Sequence, residues 1–353
     1  MHVALIANTA WLEEELGMFR SLVVGLINEQ VRVAQVVPAT VGEQDLNPFG
    51  DWVAWNDSPW SWMRRWHLSR QAESLDEIGV DLIHALDGRL WDGALGLASR
   101  LNRPAVLTCT SALDVPHVEK MAARLDASRL AITACTDPLG ERIREHVGQT
   151  VAVRVIRPGV HVPAKSPTTA REDGVLCGVI SGTGRYDADY ASLFEALRRV
   201  IADDPNVQFF LDSLGSDRHS LWQAAQRSGL LPNVSLVPRR IGHRELLLGA
   251  NVLIHPQSLH RARGLTLQAM AFGVPVLARA DPWLDYLVDD QTAWLVEASD
   301  PQSWYDLLRR VIENPAATTR LGAQEQQWMR ERHLASQHVQ RTHELYRIVS
   351  ENR

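Results

Sequence analysis

Short runs of β-branched and other apolar residues alternate along this chain with longer stretches whose apolar positions recur at helical spacing. The first runs predict strands at His2–Ala7, Val31–Val37, Asp81–Ala85, Ala105–Cys109, Leu130–Ala134 and Val153–Ile156. Helical patterns near 13–29, 66–79, 91–101, 116–127 and 137–147 separate them. A second series follows Arg157-Pro158-Gly159-Val160 and a polar, proline-containing stretch over 161–173. Its strands are predicted at Val175–Ile180, Val207–Asp212, Val234–Val237, Val252–His255, Val274–Ala278 and Ala293–Val296. Strand–helix alternation of this kind predicts parallel sheets flanked by helices, an α/β fold made of two doubly wound domains. The expected boundaries are 1–157 for the first domain, 158–330 for the second, and 331–353 for a closing helix that returns to the first.

Length and composition agree with that picture and narrow the function. A chain of 353 residues suits two domains of roughly 150 to 200 each. With 45% hydrophobic and 22% charged residues it reads as a soluble globular protein, and a formal charge of −6 argues against nucleic acid as a partner. Cys109, Cys135 and Cys177 are odd in number and far apart, which excludes a disulfide framework and CxxC metal spacing. The opening MHVALIANTAW lacks a basic leader and runs into Glu13-Glu14-Glu15, so it reads as a first strand. No apolar run approaches the roughly 20 residues needed to span a bilayer. A cytoplasmic location is expected.

The chemistry concentrates in 255–278. This stretch reads as a strand end, a basic loop, the first turn of a helix rich in small apolar residues, and a Gly-Val-Pro turn into another strand. In an open α/β sheet such an order aims a helix N-terminus into the ligand crevice, where an anion is favoured. Within it, Gln268-Ala269-Met270-Ala271-Phe272-Gly273-Val274-Pro275-Val276 resembles the second half of the family-4 (group 1) glycosyltransferase signature, E-G-F-G-x-x-x-x-E-A-M-A-x-G-x-P-V. The first half departs from it. His260 stands at the first Glu, Arg261 and Arg263 replace glycines, and Gln268 replaces the second Glu, which leaves a degenerate E-x7-E motif.

Further segments are similar to landmarks of the same family, in the same order. Asp81-Leu82-Ile83-His84 resembles D-V-V-H, and Arg157-Pro158-Gly159-Val160-His161 resembles the interdomain P-N-G-V-D. Leu193–Leu197 matches the helix after the second domain's first strand, 299–312 resembles D-P-x-x-L-A-x-x-I, and 321–349 resembles the long closing helix. The resemblance implies the GT-B arrangement, two Rossmann-like domains facing a cleft. It implies retaining, metal-independent transfer of a sugar from a nucleotide-sugar donor to a glycan or lipid-linked acceptor, without a cofactor. The altered donor positions keep a second reading open: a catalytically inactive GT-B protein that binds a sugar, a nucleotide or a protein partner. A third reading is a GT-B relative such as an epimerase or a phosphorylase; against the phosphorylase, no lysine stands out to hold a pyridoxal group.

On the donor side, the family's diphosphate-binding Arg and Lys align near Thr183 and Ala188. Gly182, Thr183 and Arg185 are therefore the donor candidates of the second domain's first turn, with the forked guanidinium of Arg185 suited to phosphate. Arg261 and Arg263 place two positive charges beside the helix start at Gly264-Leu265; they read equally as exposed arginines of a variable loop. Gln268 keeps an amide oxygen for the ribose hydroxyls, and His260, the catalytic candidate, offers one hydrogen bond where the family orients the transferred sugar; it reads also as a loop histidine without a catalytic duty. Asp285 falls at the acidic place of the family's Gly-Gly-x-x-E, beside Trp283.

On the acceptor side the candidates are Trp11, His84, Thr110, Trp60 and Trp62. Trp11 belongs to Asn8–Glu13, which stands where the family has a Gly-Gly loop. Thr110 stands near the family's His, and with Ser111 it also reads as a cap or loop hydrogen bond. Trp60 and Trp62 belong to a cluster with Trp52, Trp55 and Trp66, flanked by Arg64, Arg65, His67 and Arg70. Segment 52–70 has three readings: stacking on a sugar, peripheral contact with the inner face of a membrane, or a loop packed on its own domain.

Overall fold

The computed structural model describes residues 1–351 except 42–45, 56–60, 166–174, 183–185, 214–217 and 238–242, and omits the side chains of 61–65, 213, 218–219 and 243–244. The chain forms two compact units. Unit 1 comprises Met1–Gly159, His260–Ala262 and Ala335–Arg353, and unit 2 comprises Val160–Leu259 and Arg263–Leu334.

Unit 1 is built on seven parallel strands, β1 (His2–Ile6), β2 (Arg32–Pro38), β3 (Asp51–Trp55), β4 (Leu82–Ala85), β5 (Ala105–Cys109), β6 (Leu130–Ala134) and β7 (Ala152–Val155). Their order across the sheet is β3-β2-β1-β4-β5-β6-β7, so the chain reverses its winding direction between β1 and β4. Helices α1 (Thr9–Asn28), α2 (Ser61–Glu77), α3 (Trp91–Leu101), α4 (Val115–Ala122) and α5 (Asp137–Val147) provide the crossovers. Helix α1 starts earlier than its apolar periodicity predicts, because Asn8 Oδ1 accepts a hydrogen bond from the Trp11 backbone N–H at 2.8 Å and caps the first turn. Asn8–Glu13 is therefore a helix start, not an open loop.

Strand β3 is absent from the sequence reading, which assigned this stretch to the tryptophan cluster. It pairs with β2 from Ala34↔Asp51 to Pro38↔Trp55 and lies at the sheet edge. Trp55 is buried and packs on Gly93 of α3, where a Cβ would collide with its ring. Trp52 points out, 44% exposed. Trp55 thus shows the internal packing that the third reading of 52–70 describes, and Trp52 does not.

Unit 2 is built on six parallel strands, β8 (Leu176–Gly182), β9 (Val207–Ser213), β10 (Val234–Leu236), β11 (Val252–His255), β12 (Val276–Arg279) and β13 (Trp294–Val296), in the order β10-β9-β8-β11-β12-β13. Helices α6 (Ala188–Asp203), α7 (Arg218–Arg227), α8 (His243–Leu248), α9 (Gly264–Phe272), α10 (Pro301–Glu313) and α11 (Pro315–Arg332) complete it. The single helix expected over 321–349 is two: α11 ends at Arg332, and α12 (Ala335–Glu351) begins after a break at His333–Leu334. Helix α12 belongs to unit 1, where Leu345, Tyr346 and Val349 join Val3, Leu5 and Val33 of the sheet and Phe19 and Leu26 of α1 in one core.

Helix α11 approaches the turn after α9 closely at Gly322. A Cβ there would drive into the carbonyl of Gly273, a backbone group that cannot swing aside. Gly322→Ala is expected to lower unfolding stability by about 3 kcal/mol, the upper range of overpacking costs, as read from urea melts; an unchanged midpoint would show that the turn yields freely.

Candidate functional site

The carboxyl edge of the unit 2 sheet gathers most of the buried polar residues of that unit. Ser181 and Gly182 end β8, Asp212 lies at the end of β9, His255 ends β11 and is followed closely by Gln257, and Asp281 follows β12. This is the edge at which open α/β sheets take ligands. Helix α9 starts from the same edge. Its sequence GLTLQAMAF is apolar on nearly every side, and all of it except Gln268 is buried, so the helix sits inside the unit. It ends at Gly273, whose φ of +72° suits glycine and turns the chain into Val274-Pro275. At its start Arg263 occupies the N-cap in an extended conformation, and its own side chain does not cap the first turn.

Arg263 is only 3% exposed, which excludes its reading as a solvated loop arginine. Its charge acts on His255. Burial first, and the Arg263 guanidinium second, push the His255 imidazole down to about 3, with Asp281 opposing. His255 is therefore uncharged at neutral pH and presents ring nitrogens without adding charge. Gly182 lets the end of β8 approach α6, since a Cβ there would strike Tyr190 Oη and Gln257 Oε1. The Gln257 amide donates to Asp187, whose other carboxylate oxygen accepts from the Tyr190 backbone N–H at 3.1 Å and caps α6. Gln268 is half-buried on α9, and Trp283 N–H donates to Asp281 Oδ1 at 3.1 Å. Asp285 is half-buried. Thr183 and Arg185 lie outside the described residues.

The remaining candidates lie in unit 1. The His260 carbonyl accepts a hydrogen bond from Ala112 N–H at 2.8 Å, Ala262 N–H donates to the Thr110 carbonyl at 3.3 Å, and Arg261 bridges Ser111 in antiparallel fashion. His260 itself has a φ of +54°, the left-handed region, so this short segment is tightly bent. Arg261 lies 3.7 Å from Glu14 and faces Asp114. The two loop arginines thus separate: Arg263 enters the interior of unit 2, and Arg261 pairs with acids of unit 1. Burial, then the neighbouring Asp87, raise the Asp114 carboxyl to about 6, with Arg261 the largest opposing influence.

Trp11 and His84 are core residues. Trp11 packs edge-on against Phe19, with ring centroids 6.1 Å apart. His84 Nδ1 lies 2.6 Å from Tyr346 Oη and its Nε2 2.7 Å from Thr108 Oγ1, which ties α12 to the sheet. Burial, then His338, push this imidazole down to about 3, so the pairing is a neutral hydrogen-bonded one. Both line a cavity of about 40 Å³ with Thr108, Thr110 and Thr133. Trp60 and the side chain of Trp62 lie outside the described residues; Trp66 is 54% exposed, with Arg70 5.6 Å above its ring.

Three buried residues of the unit 2 edge escaped the sequence reading: Ser181, His255 and Thr266. The available signal was polarity out of place. Ser181 follows the apolar Val179-Ile180, His255 follows Val252-Leu253-Ile254, and Thr266 interrupts an apolar helix. Among the described residues, no group of three His, Cys, Asp or Glu side chains is placed to hold a metal ion, and no helix is long and apolar enough to cross a membrane.

Residues 178–314, which lie almost wholly in unit 2, match the family model described as glycosyl transferases group 1. The chain is 29% identical over 281 residues to a D-inositol 3-phosphate glycosyltransferase of Nocardioides sp. (strain ATCC BAA-499 / JS614), a match covering 72% of this chain. It spans only 60% of that relative's length. Among solved structures, Anabaena Alr3699/HepE in complex with UDP and glucose superposes with a TM-score of 0.78 at 16% identity, covering 98% of both chains. Sucrose-phosphate synthase from Thermosynechococcus elongatus superposes with a TM-score of 0.74 at 18% identity, again over 98% of both. The fold is that of the GT-B glycosyltransferases, two α/β units with parallel sheets.

Proposed function

We propose that the chain is a glycosyltransferase that takes its sugar from a nucleotide-sugar bound at the carboxyl edge of the unit 2 sheet. The observation that carries this reading is the buried Arg263 at the start of α9, inside the stretch that matches the group 1 model. When the bond between sugar and diphosphate breaks, negative charge grows on the leaving phosphate. A guanidinium and a helix N-terminus are the groups that stabilise it there, an arrangement that works without a metal. In this reading Gln268 accepts from the ribose, and the reaction retains anomeric configuration as in the group 1 enzymes the sequence resembles.

The likeness to a protein solved with UDP and glucose supports UDP-glucose as the first donor to try. The likeness to a D-inositol 3-phosphate glycosyltransferase supports a polyol phosphate as the first acceptor, ahead of a glycan or a lipid-linked sugar. A thermal-shift series over nucleoside diphosphates and their sugars tests the reading. A ligand at about 100 times its Kd adds roughly 2.7 kcal/mol, a rise of about 5 °C for a chain of this size. No shift with any nucleotide at millimolar concentration would sink the donor assignment. Binding of UDP-glucose without release of UDP in the presence of inositol phosphates or glycans would instead favour a protein that binds but does not transfer.

A further inference from the structure

Folded proteins rarely leave buried polar side chains without a hydrogen bond. Unit 2 does so three times at one edge: Ser181 Oγ, His255 Nδ1 and Thr266 Oγ1 have no partner among the described residues, and each residue is at most 2% exposed. The three are not scattered. Ile180 and Ile254 are register partners on β8 and β11, so Ser181 and His255 stand side by side one step further along these strands. Thr266 is the third residue of α9, in the turn headed by Arg263, whose charge reaches His255. Two hydroxyls, one imidazole and one guanidinium therefore belong to a single edge, at the start of α9.

Each such atom costs stability in the protein alone, because its hydrogen bonds to water are lost on folding and nothing replaces them. Groups of this kind persist where a ligand completes them, as part of the exchange of stability for function. We propose that Ser181, His255 and Thr266 are phosphate-contacting residues of the donor pocket, three neutral hydrogen-bond donors grouped with Arg263 for the oxygens of a diphosphate. The assignment rests on the nucleotide-sugar reading above and adds the groups that fix the phosphate's orientation. Serine and threonine hydroxyls donate one hydrogen bond each, and an imidazole protonated on Nδ1 donates a third without bringing charge. Arg263 then supplies charge, while the other three supply direction. Asp281 is the acidic group whose charge opposes that of Arg263 at His255.

The two isosteric or near-isosteric variants Thr266→Val and Ser181→Ala separate a ligand role from a structural one. Calorimetric titration with inorganic pyrophosphate and with UDP is expected to show each variant binding about five- to tenfold more weakly than the parent, the loss of one ordinary net hydrogen bond. The melting temperature without ligand is expected to stay level or rise, because an uncompensated polar atom has been removed. Thr266→Ser, which keeps the hydroxyl, should retain the parent's affinity. Unchanged affinity in Thr266→Val and Ser181→Ala would overturn the proposal, as would a loss of affinity matched by a lowered melting temperature. If the parent binds pyrophosphate but not UDP, and the variants weaken pyrophosphate, the nucleotide-sugar reading fails and the phosphate assignment stands. If the parent binds neither, both fail.

Discussion

Arg263→Ala is expected to weaken UDP and pyrophosphate binding by about 10- to 100-fold, the cost of one or more charge-assisted hydrogen bonds at about 1.5–3 kcal/mol. The size follows from burial. At 3% exposure the guanidinium is poorly screened, so its attraction for a phosphate is stronger than that of a surface arginine. Arg263→Lys should fall between parent and alanine, since it keeps the charge and loses the two-pronged geometry. A second readout needs no ligand. Arg263 is one of the two influences that hold His255 down to about 3, so in Arg263→Ala the imidazole should titrate at higher pH, visible in the histidine ring resonances. An alanine variant with the parent's affinity would remove Arg263 from the site whatever the resonances show.

The second large effect concerns stability. Glu325 on α11 is completely buried, and one carboxyl oxygen accepts from the Val276 backbone N–H at 2.9 Å, holding the start of β12 against the helix. Burial raises its pKa well above 4.5, partly offset by that hydrogen bond. The folded protein therefore keeps a proton on this group at pH values where the unfolded chain has lost it. The sign is fixed by that difference. Stability from Glu325 is complete below about 4.5 and declines as pH rises towards the folded-state value, by about 1.4 kcal/mol per unit. Glu325→Gln keeps an acceptor for Val276 and cannot ionise. Its stability relative to the parent should grow as the pH rises above about 4.5 in urea melts, and parallel curves for the two proteins would disprove the protonated state. Glu325→Ala removes the acceptor and leaves a cavity. It should be about 3 kcal/mol less stable than the glutamine variant at any pH.

Much of the architecture was legible because parallel sheets write themselves plainly. Strands such as Val252–His255 and Ala105–Cys109 are short apolar runs bounded by helices, and the fold has them at the same residues. Strand β3 was illegible, since at a sheet edge its tryptophans are split between core and solvent and carry no clean period. The break between α11 and α12 was equally hidden, because His333-Leu334 contains neither glycine nor proline to announce it.

At the candidate site, the helix start after His255 could be read from residue order alone. The diverging paths of Arg261 and Arg263 could not. Two arginines separated by one alanine look alike in sequence, and only the surroundings decide that one is buried while the other meets Glu14. Ser181, His255 and Thr266 were missed for a related reason. A single polar residue at a strand end is ordinary, and it becomes informative only when its hydrogen-bond partners can be counted.

Unit 1 takes its members from three separated stretches of chain, and the last of them supplies Leu345, Tyr346 and Val349 to the core that β1 and α1 begin. During synthesis, the first 159 residues emerge with that side of their sheet uncovered and with His84 lacking Tyr346. Residues 1–159 cannot complete this core until Ala335–Glu351 has been made. A fragment cut at Gly159 should accordingly behave as an aggregation-prone intermediate and bind chaperones, and a longer-lived nascent state follows from closing the first unit with α12.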